Sequence, residues 1–146
     1  MPDASRARQL VVFTLGSEQY ALPIEQVHEI IRYNEPRSVA SRIPWVRGVI
    51  SLRGRIVPVY DLAARLGLEA GLTEITKIVI VEAGTEIAGV IVDEVEEVLT
   101  VEADRYEEVP GADSELIESI AKLGDRLVVL LRPSTIFAPQ DHLVAA

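Results

Sequence analysis

GVISLRGRIVPVYDL, residues 48–62, sets two apolar runs, Val49 to Leu52 and Ile56 to Tyr60, on either side of Arg53-Gly54-Arg55. Glycine supplies the positive φ that a tight hairpin turn needs, so the stretch reads as a β-hairpin. Pro58 interrupts the second run and donates no backbone hydrogen bond, which places that strand at a sheet edge or a bulge. Short, bent strands of this kind predict a small barrel. The turn also concentrates two arginines in a chain that is otherwise acidic.

Upstream, residues 1–8 are small and polar and read as a flexible tail. Leu10 to Leu15, the turn Gly16-Ser17-Glu18-Gln19 and Tyr20 to Ile24 form a first hairpin. Residues 23–26 suit a single helical turn, and Val27 to Tyr33 continues as a strand or a short helix, which periodicity does not separate, with strand the preferred reading. Pro36 ends that run. Residues 41–47, with Pro44 and the sole tryptophan, Trp45, predict a helical turn leading into Gly48. Downstream, Asp61 caps a short helix over 62–66 that Gly67 ends. Residues 69–76 form a linker.

A shift of 68 positions lays Leu10 to Ile31 over Ile78 to Leu99 without a gap. Val11 falls on Val79, Gly16 on Gly84, Glu18 on Glu86, Val27 on Val95 and Glu29 on Glu97. Apolar positions agree as well, with Ile24 on Val92 and Ile30 on Val98. Farther on, Lys122 to Arg126 repeats the central turn, with Asp125 and Arg126 in place of the paired arginines. Each half therefore reads as hairpin, connector, hairpin, short helix. A half of about 70 residues is marginal as an independent core. Packing two halves together buries a third apolar layer between them. The expected architecture is all-β, with two pseudo-equivalent five-stranded barrels joined by short helices and a docking groove between them. The halves are expected at about 9–68 and about 75–137, with exchange of strands between barrels left open.

Composition narrows the function. The 146 residues contain 14 basic and 23 acidic side chains, a formal charge of -9, which is the wrong sign for binding a phosphate backbone. The absence of cysteine removes disulfides, thiolate metal ligands and thiol nucleophiles, and fits a reducing compartment. No secretory signal is evident, and no apolar segment approaches the roughly 20 residues that span a bilayer. A cytoplasmic protein is expected.

Catalytic candidates are few. Asp61 and Asp93 could form an acid/base pair across the groove, which requires one carboxyl in an apolar pocket and the other solvated. The simpler reading makes Asp61 a helix cap and sets Asp93 on a solvated strand edge with Glu94, Glu96 and Glu97. His28 and His142 lack a second ligand at metal spacing. The serines lack a nucleophile-elbow context, and no phosphate loop, dinucleotide fingerprint or calcium loop occurs. The expectation is a binding protein without catalysis, cofactor or metal. For Arg53 two roles stand open: a turn residue reaching into water, or an anchor offering five fixed donors to a partner. Val27, Ile30 and Ile31 read as core, except that alternation turns one of the two isoleucines outward.

Four segments taken together, LVVFTLGSEQYALPIEQVHEII, IPWVRGVISLRGRIVPVYDLAARLG, KIVIVEAGTEIAGVIVDEVEEVL and GDRLVVLLRPSTI, resemble the CheW family of chemotaxis coupling proteins over about residues 9–137. The resemblance implies two SH3-like barrels and a stand-alone adaptor. Such adaptors join a chemoreceptor's cytoplasmic tip to the regulatory domain of a CheA-type histidine kinase, without membrane insertion. Carried over by position, Val27, Glu29, Ile30, Gly48 and Arg53 would face the receptor. The loop RYEEVPGA, residues 105–112, would touch the kinase through Val109 and Pro110. A cytoplasmic adaptor recruited to membrane-bound receptor arrays is implied, with a pilus or gliding pathway as the alternative setting. Because the second turn lacks the arginine pair, the charge at 53 and 55 is expected to lie outside the shared barrel plan. That assigns Arg53 to a partner and Arg55 to solvent.

Overall fold

The computed structural model describes residues 7–68, 71–109, 111 and 115–137. These residues form β1 (Arg8–Leu15), β2 (Glu18–Pro23), β3 (Val27–Arg32), β4 (Val46–Leu52), β5 (Arg55–Asp61), the helix α1 (Leu62–Arg65), β6 (Lys77–Ala83), β7 (Glu86–Val92), β8 (Glu94–Val101), β9 (Tyr106–Glu107), β10 (Ile117–Leu123) and β11 (Arg126–Leu131). Single turns of 3-10 helix occupy Ile24–Gln26, Ala103–Arg105 and Pro133–Thr135.

The strands form two sheets, ordered β8-β1-β2-β11-β10-β9 and β3-β6-β7-β5-β4. Under the repeat, β1, β2, β3, β4 and β5 correspond to β6, β7, β8, β10 and β11. Each sheet therefore combines the first hairpin of one half with the third strand and second hairpin of the other. The hairpins join through parallel pairs, β2 with β11 and β5 with β7. The first sheet has six strands rather than the expected five because residues 106–107, read from sequence as loop, pair with Ala121 and Ile120.

Burial explains why the apolar runs are continuous rather than alternating. Successive residues of β6 point to opposite faces, and both faces are covered. Ile78 and Ile80 enter the core of the five-stranded barrel, while Val79 and Val81 enter the layer between barrels. In β11, Val128 and Leu130 fill the six-stranded barrel and Leu131 the shared layer. That shared layer takes side chains from both halves, among them Phe13, Leu22, Tyr60, Val90 and Ile136. It is the third apolar layer that two marginal halves require.

Two local expectations differ from the structure. Strand β5 lies between β4 and β7 rather than at an edge. Pro58 is tolerated there because the amide of Val49, its neighbour on β4, donates to the Arg37 carbonyl at 2.9 Å and the Val49 carbonyl accepts from the Arg37 amide at 2.8 Å. In an antiparallel pair those two groups point the same way, so the Val49 and Pro58 pair exchanges no hydrogen bonds and the missing amide costs none. Pairing of β5 with β7 starts one residue later, at Val59. Within 41–47, residues 43–46 form a turn, closed by the Val46 amide donating to the Ile43 carbonyl at 3.2 Å, instead of a turn of helix, and Val46 already opens β4.

Candidate functional site

Strand β3 is an edge of the five-stranded sheet, and its irregular register shapes the site. Val27 pairs with Val81 and Glu29 with Ile80, which leaves His28 as the extra residue of a bulge. Val27 packs against the shared layer and Ile31 against the barrel core. Ile30 is the isoleucine that faces out, at 40% exposure.

The central turn reaches this edge. Arg53 follows β4, the opposite edge strand, and its guanidinium donates to the Glu29 carboxylate. The bond ties the two edges of the sheet together. Arg53 remains 70% exposed while Glu29 is only 20% exposed, so the carboxylate holds the arginine with most of its donors free. Arg53 and Gly54 form a two-residue loop with φ of 51° and 82°. Both values are positive, as a type I′ turn demands, and Arg53 is the only non-glycine residue with positive φ among the described residues. Arg55 lies 3.9 Å from Glu82 on β6.

Gly48 has a structural reason to be glycine. It follows a second bulge, at Arg47, and adopts φ of 146°. A Cβ there would sit 1.9 Å from the Arg37 carbonyl oxygen. Gly48 is buried, and it permits the chain at Arg37 to lie against β4.

Val27, Glu29, Ile30, Gly48 and Arg53 thus all lie on the five-stranded sheet. Val109, 39% exposed, follows β9 at the edge of the other sheet. Pro110 lies outside the described residues. A separate open groove of about 790 Å³ is lined by Arg8, Glu25, Tyr106, Glu107, Glu118 and Arg132, and contains none of the five. There the Tyr106 hydroxyl is buried without a hydrogen-bond partner, and burial raises its pKa, with Arg8 opposing and Glu118 adding.

The two aspartates raised as an acid/base pair each hold backbone. Asp61 accepts from the Ala64 amide at 3.1 Å, capping α1, and from Arg47 at 2.6 Å. Asp93 accepts from the Gly16 amide at 2.8 Å, across the first hairpin turn. No group of three or more His, Cys, Asp or Glu residues arranged to hold a metal occurs among the described residues.

The repeat extends to the site. In β8 the bulged residue is Glu96, because Val12 pairs with Glu97 and Phe13 with Val95. Glu97, the counterpart of Glu29, bonds Arg126 at 2.8 Å. Exposed Val98 and Leu127 match Ile30 and Ile56, which are also exposed. The expectation that the charge at 53 and 55 lies outside the barrel plan is corrected for Arg55, whose counterpart by hairpin register is Arg126; Arg53 falls opposite Gly124, yet each barrel pairs this glutamate with an arginine. Sequence reading passed over His28, Glu82 and Ile56. The signal for Ile56 was its place one residue beyond Arg55, on the face opposite buried Val57.

Comparison with known proteins agrees over most of the chain. A family model described as CheW-like domain matches residues 9–140. A protein named Chemotaxis protein CheW from Bacillus subtilis is 34% identical over 128 residues, 84% of this chain and 82% of its own. Its namesake from Klebsiella aerogenes is 30% identical, covering 85% of this chain and 78% of its own. The crystal structure of scaffolding protein TtCheW from Thermoanaerobacter tengcongensis superposes with a TM-score of 0.85 at 33% identity, covering 91% of this chain and 89% of that one.

Proposed function

Because this chain belongs to the CheW-like domain family, we propose that its work as a chemotaxis coupling adaptor is to join the cytoplasmic tip of a chemoreceptor to the regulatory domain of a CheA-type histidine kinase. The observation that carries the receptor side is Arg53, tethered to Glu29 and open to solvent over most of its surface, at a sheet edge whose strand β3 also turns Ile30 outward. A solvent-open guanidinium and an exposed isoleucine at one sheet edge suit a helical hairpin tip that presents an apolar residue and a carboxylate or free carbonyl. Val27 supports the bulged edge from beneath. Gly48 acts through the backbone, by letting the 37–49 bridge form.

The kinase side is assigned to Val109, which follows the edge strand β9, together with Pro110, which lies outside the described residues. The role is non-catalytic: the receptor's state passes through the relative placement of two bound partners, and the shared apolar layer makes the two barrels a firm spacer between them. No helix among the described residues is long and apolar enough to cross a membrane. Location in the cytoplasm, with recruitment to receptor arrays, follows on this reading from partner binding.

The test mixes the protein with a receptor-tip fragment and a kinase regulatory domain on a sizing column. Co-elution with each is expected, and co-elution with neither overturns the reading. Arg53→Ala should weaken receptor binding by roughly ten- to a hundredfold, the loss typical of an interface anchor, at an unchanged urea midpoint. Receptor affinity unchanged in both Arg53→Ala and Val27→Met removes the site assignment.

A further inference from the structure

The bulge in β3 brings together side chains that regular alternation would separate. Consecutive residues of a strand normally point to opposite faces. At the bulge, His28 Nε2 instead lies 3.9 Å from Glu29 Oε2, the same oxygen that accepts from Arg53. The other ring nitrogen, Nδ1, is 3.5 Å from Glu82 Oε1 on β6, whose second oxygen lies 3.9 Å from Arg55. The charged groups facing the ring are thus Glu29 on its own strand and Glu82 on β6. Behind them stand Arg53 from the turn and Arg55 from the start of β5. With a neutral imidazole these four groups sum to zero charge, and protonation leaves the cluster at +1.

Histidine is the side chain whose charge changes between about pH 5 and 8. Protonation turns both ring nitrogens into donors, each already facing a carboxylate oxygen. We propose that protonation of His28 draws Glu29 and Glu82 to the ring, releases Arg53 for an acidic group on the bound receptor segment, and so tightens receptor binding as pH falls. The proposal rests on the receptor site described above. The other barrel supplies an internal comparison: its bulge carries Glu96 where this one carries His28, so the same plan there lacks the histidine. His28, Glu82 and Arg55 are half-exposed and Arg53 more so, which keeps the effect modest.

Two measurements on the full chain test it, each in the wild type and in His28→Gln, a comparison that removes contributions from His142 and from the partner. In the free protein, the Arg53 side-chain Nε–H resonance should titrate together with the His28 ring, and not in the variant. For a receptor-tip fragment, the gain in affinity between about pH 8 and about pH 5.5 should be about threefold larger in wild type than in the variant, the size expected of a surface ion pair. An Arg53 resonance indifferent to His28, or equal pH slopes of affinity in the two proteins, overturns the proposal. If Arg53 follows His28 but the fragment binds at no pH, the receptor assignment falls, and with it the affinity half of the proposal. The proton-coupled release of Arg53 is upheld in that case.

Discussion

Arg126 donates to Glu97 at 2.8 Å in the six-stranded barrel, the bond that Arg53 makes to Glu29 in the five-stranded one. Glu97 and Glu29 are 68 residues apart and equivalent in the repeat. Their arginines are not strictly equivalent: Arg126 opens β11 as Arg55 opens β5, whereas Arg53 sits inside its turn. The shared element is the carboxylate beside the bulge, and each barrel reaches it from a different position in the second hairpin.

That shared bond should be weak. A double-mutant cycle on Glu97→Ala and Arg126→Ala, read by urea denaturation, should return a coupling of about 0.2–1 kcal/mol, because both side chains keep substantial contact with water.

Arg53 occupies a backbone conformation that favours asparagine or glycine. Arg53→Asn converts the turn to Asn-Gly, the preferred type I′ sequence, and should raise stability by about 0.5–1 kcal/mol while weakening receptor binding. Opposite signs for folding and binding would mark the arginine as kept for a partner. A loss of stability in thermal and urea melts would instead show that its bond to Glu29 outweighs the strain.

Gly48→Ala should be far more damaging than its size suggests. The added methyl group would meet the Arg37 carbonyl carbon at 2.6 Å as well as its oxygen, so the bridge to Val49 must open. A loss of about 3 kcal/mol or more is expected in urea denaturation, together with faster amide exchange at Arg37 and Val49.

Tyr106→Phe should cost nothing. The hydroxyl it removes is buried and unpartnered, so stability should hold or rise by up to about 1 kcal/mol, while Tyr106→Ala should destabilise by withdrawing the ring from the core of the six-stranded barrel. Differential scanning calorimetry on both variants distinguishes the two contributions.

Much of this molecule can be read along the chain, because hairpins and caps are local. The hairpin turn over Arg53-Gly54-Arg55, the cap at Asp61 and the outward turn of one of the residues at 30 and 31 all follow from neighbours within a few positions. The repeat followed too, since the residue pattern of one half is laid down again 68 positions later. From the repeat and the small size of each half came the buried layer between barrels.

What tertiary structure alone decided concerns partners distant in sequence. Which carboxylate meets Arg53 depends on how the sheet curls to bring β3 beside the turn after β4, and no local spacing encodes that approach. Pro58 illustrates the same limit. Its lack of an amide predicts an edge or a bulge, but the outcome depended on which side of the strand already had its hydrogen bonds, and Arg37 settled that from outside the hairpin. His28 shows it most clearly: alternation along a strand separates it from Glu29, and only the bulge against β6 brings its ring within 3.9 Å of the Glu29 carboxylate. The sequence by itself determined an all-β chain built twice over. The pairing of its charges was left to the register between strands, because a one-residue slip changes which side chains meet without altering the pattern of apolar residues that drives folding.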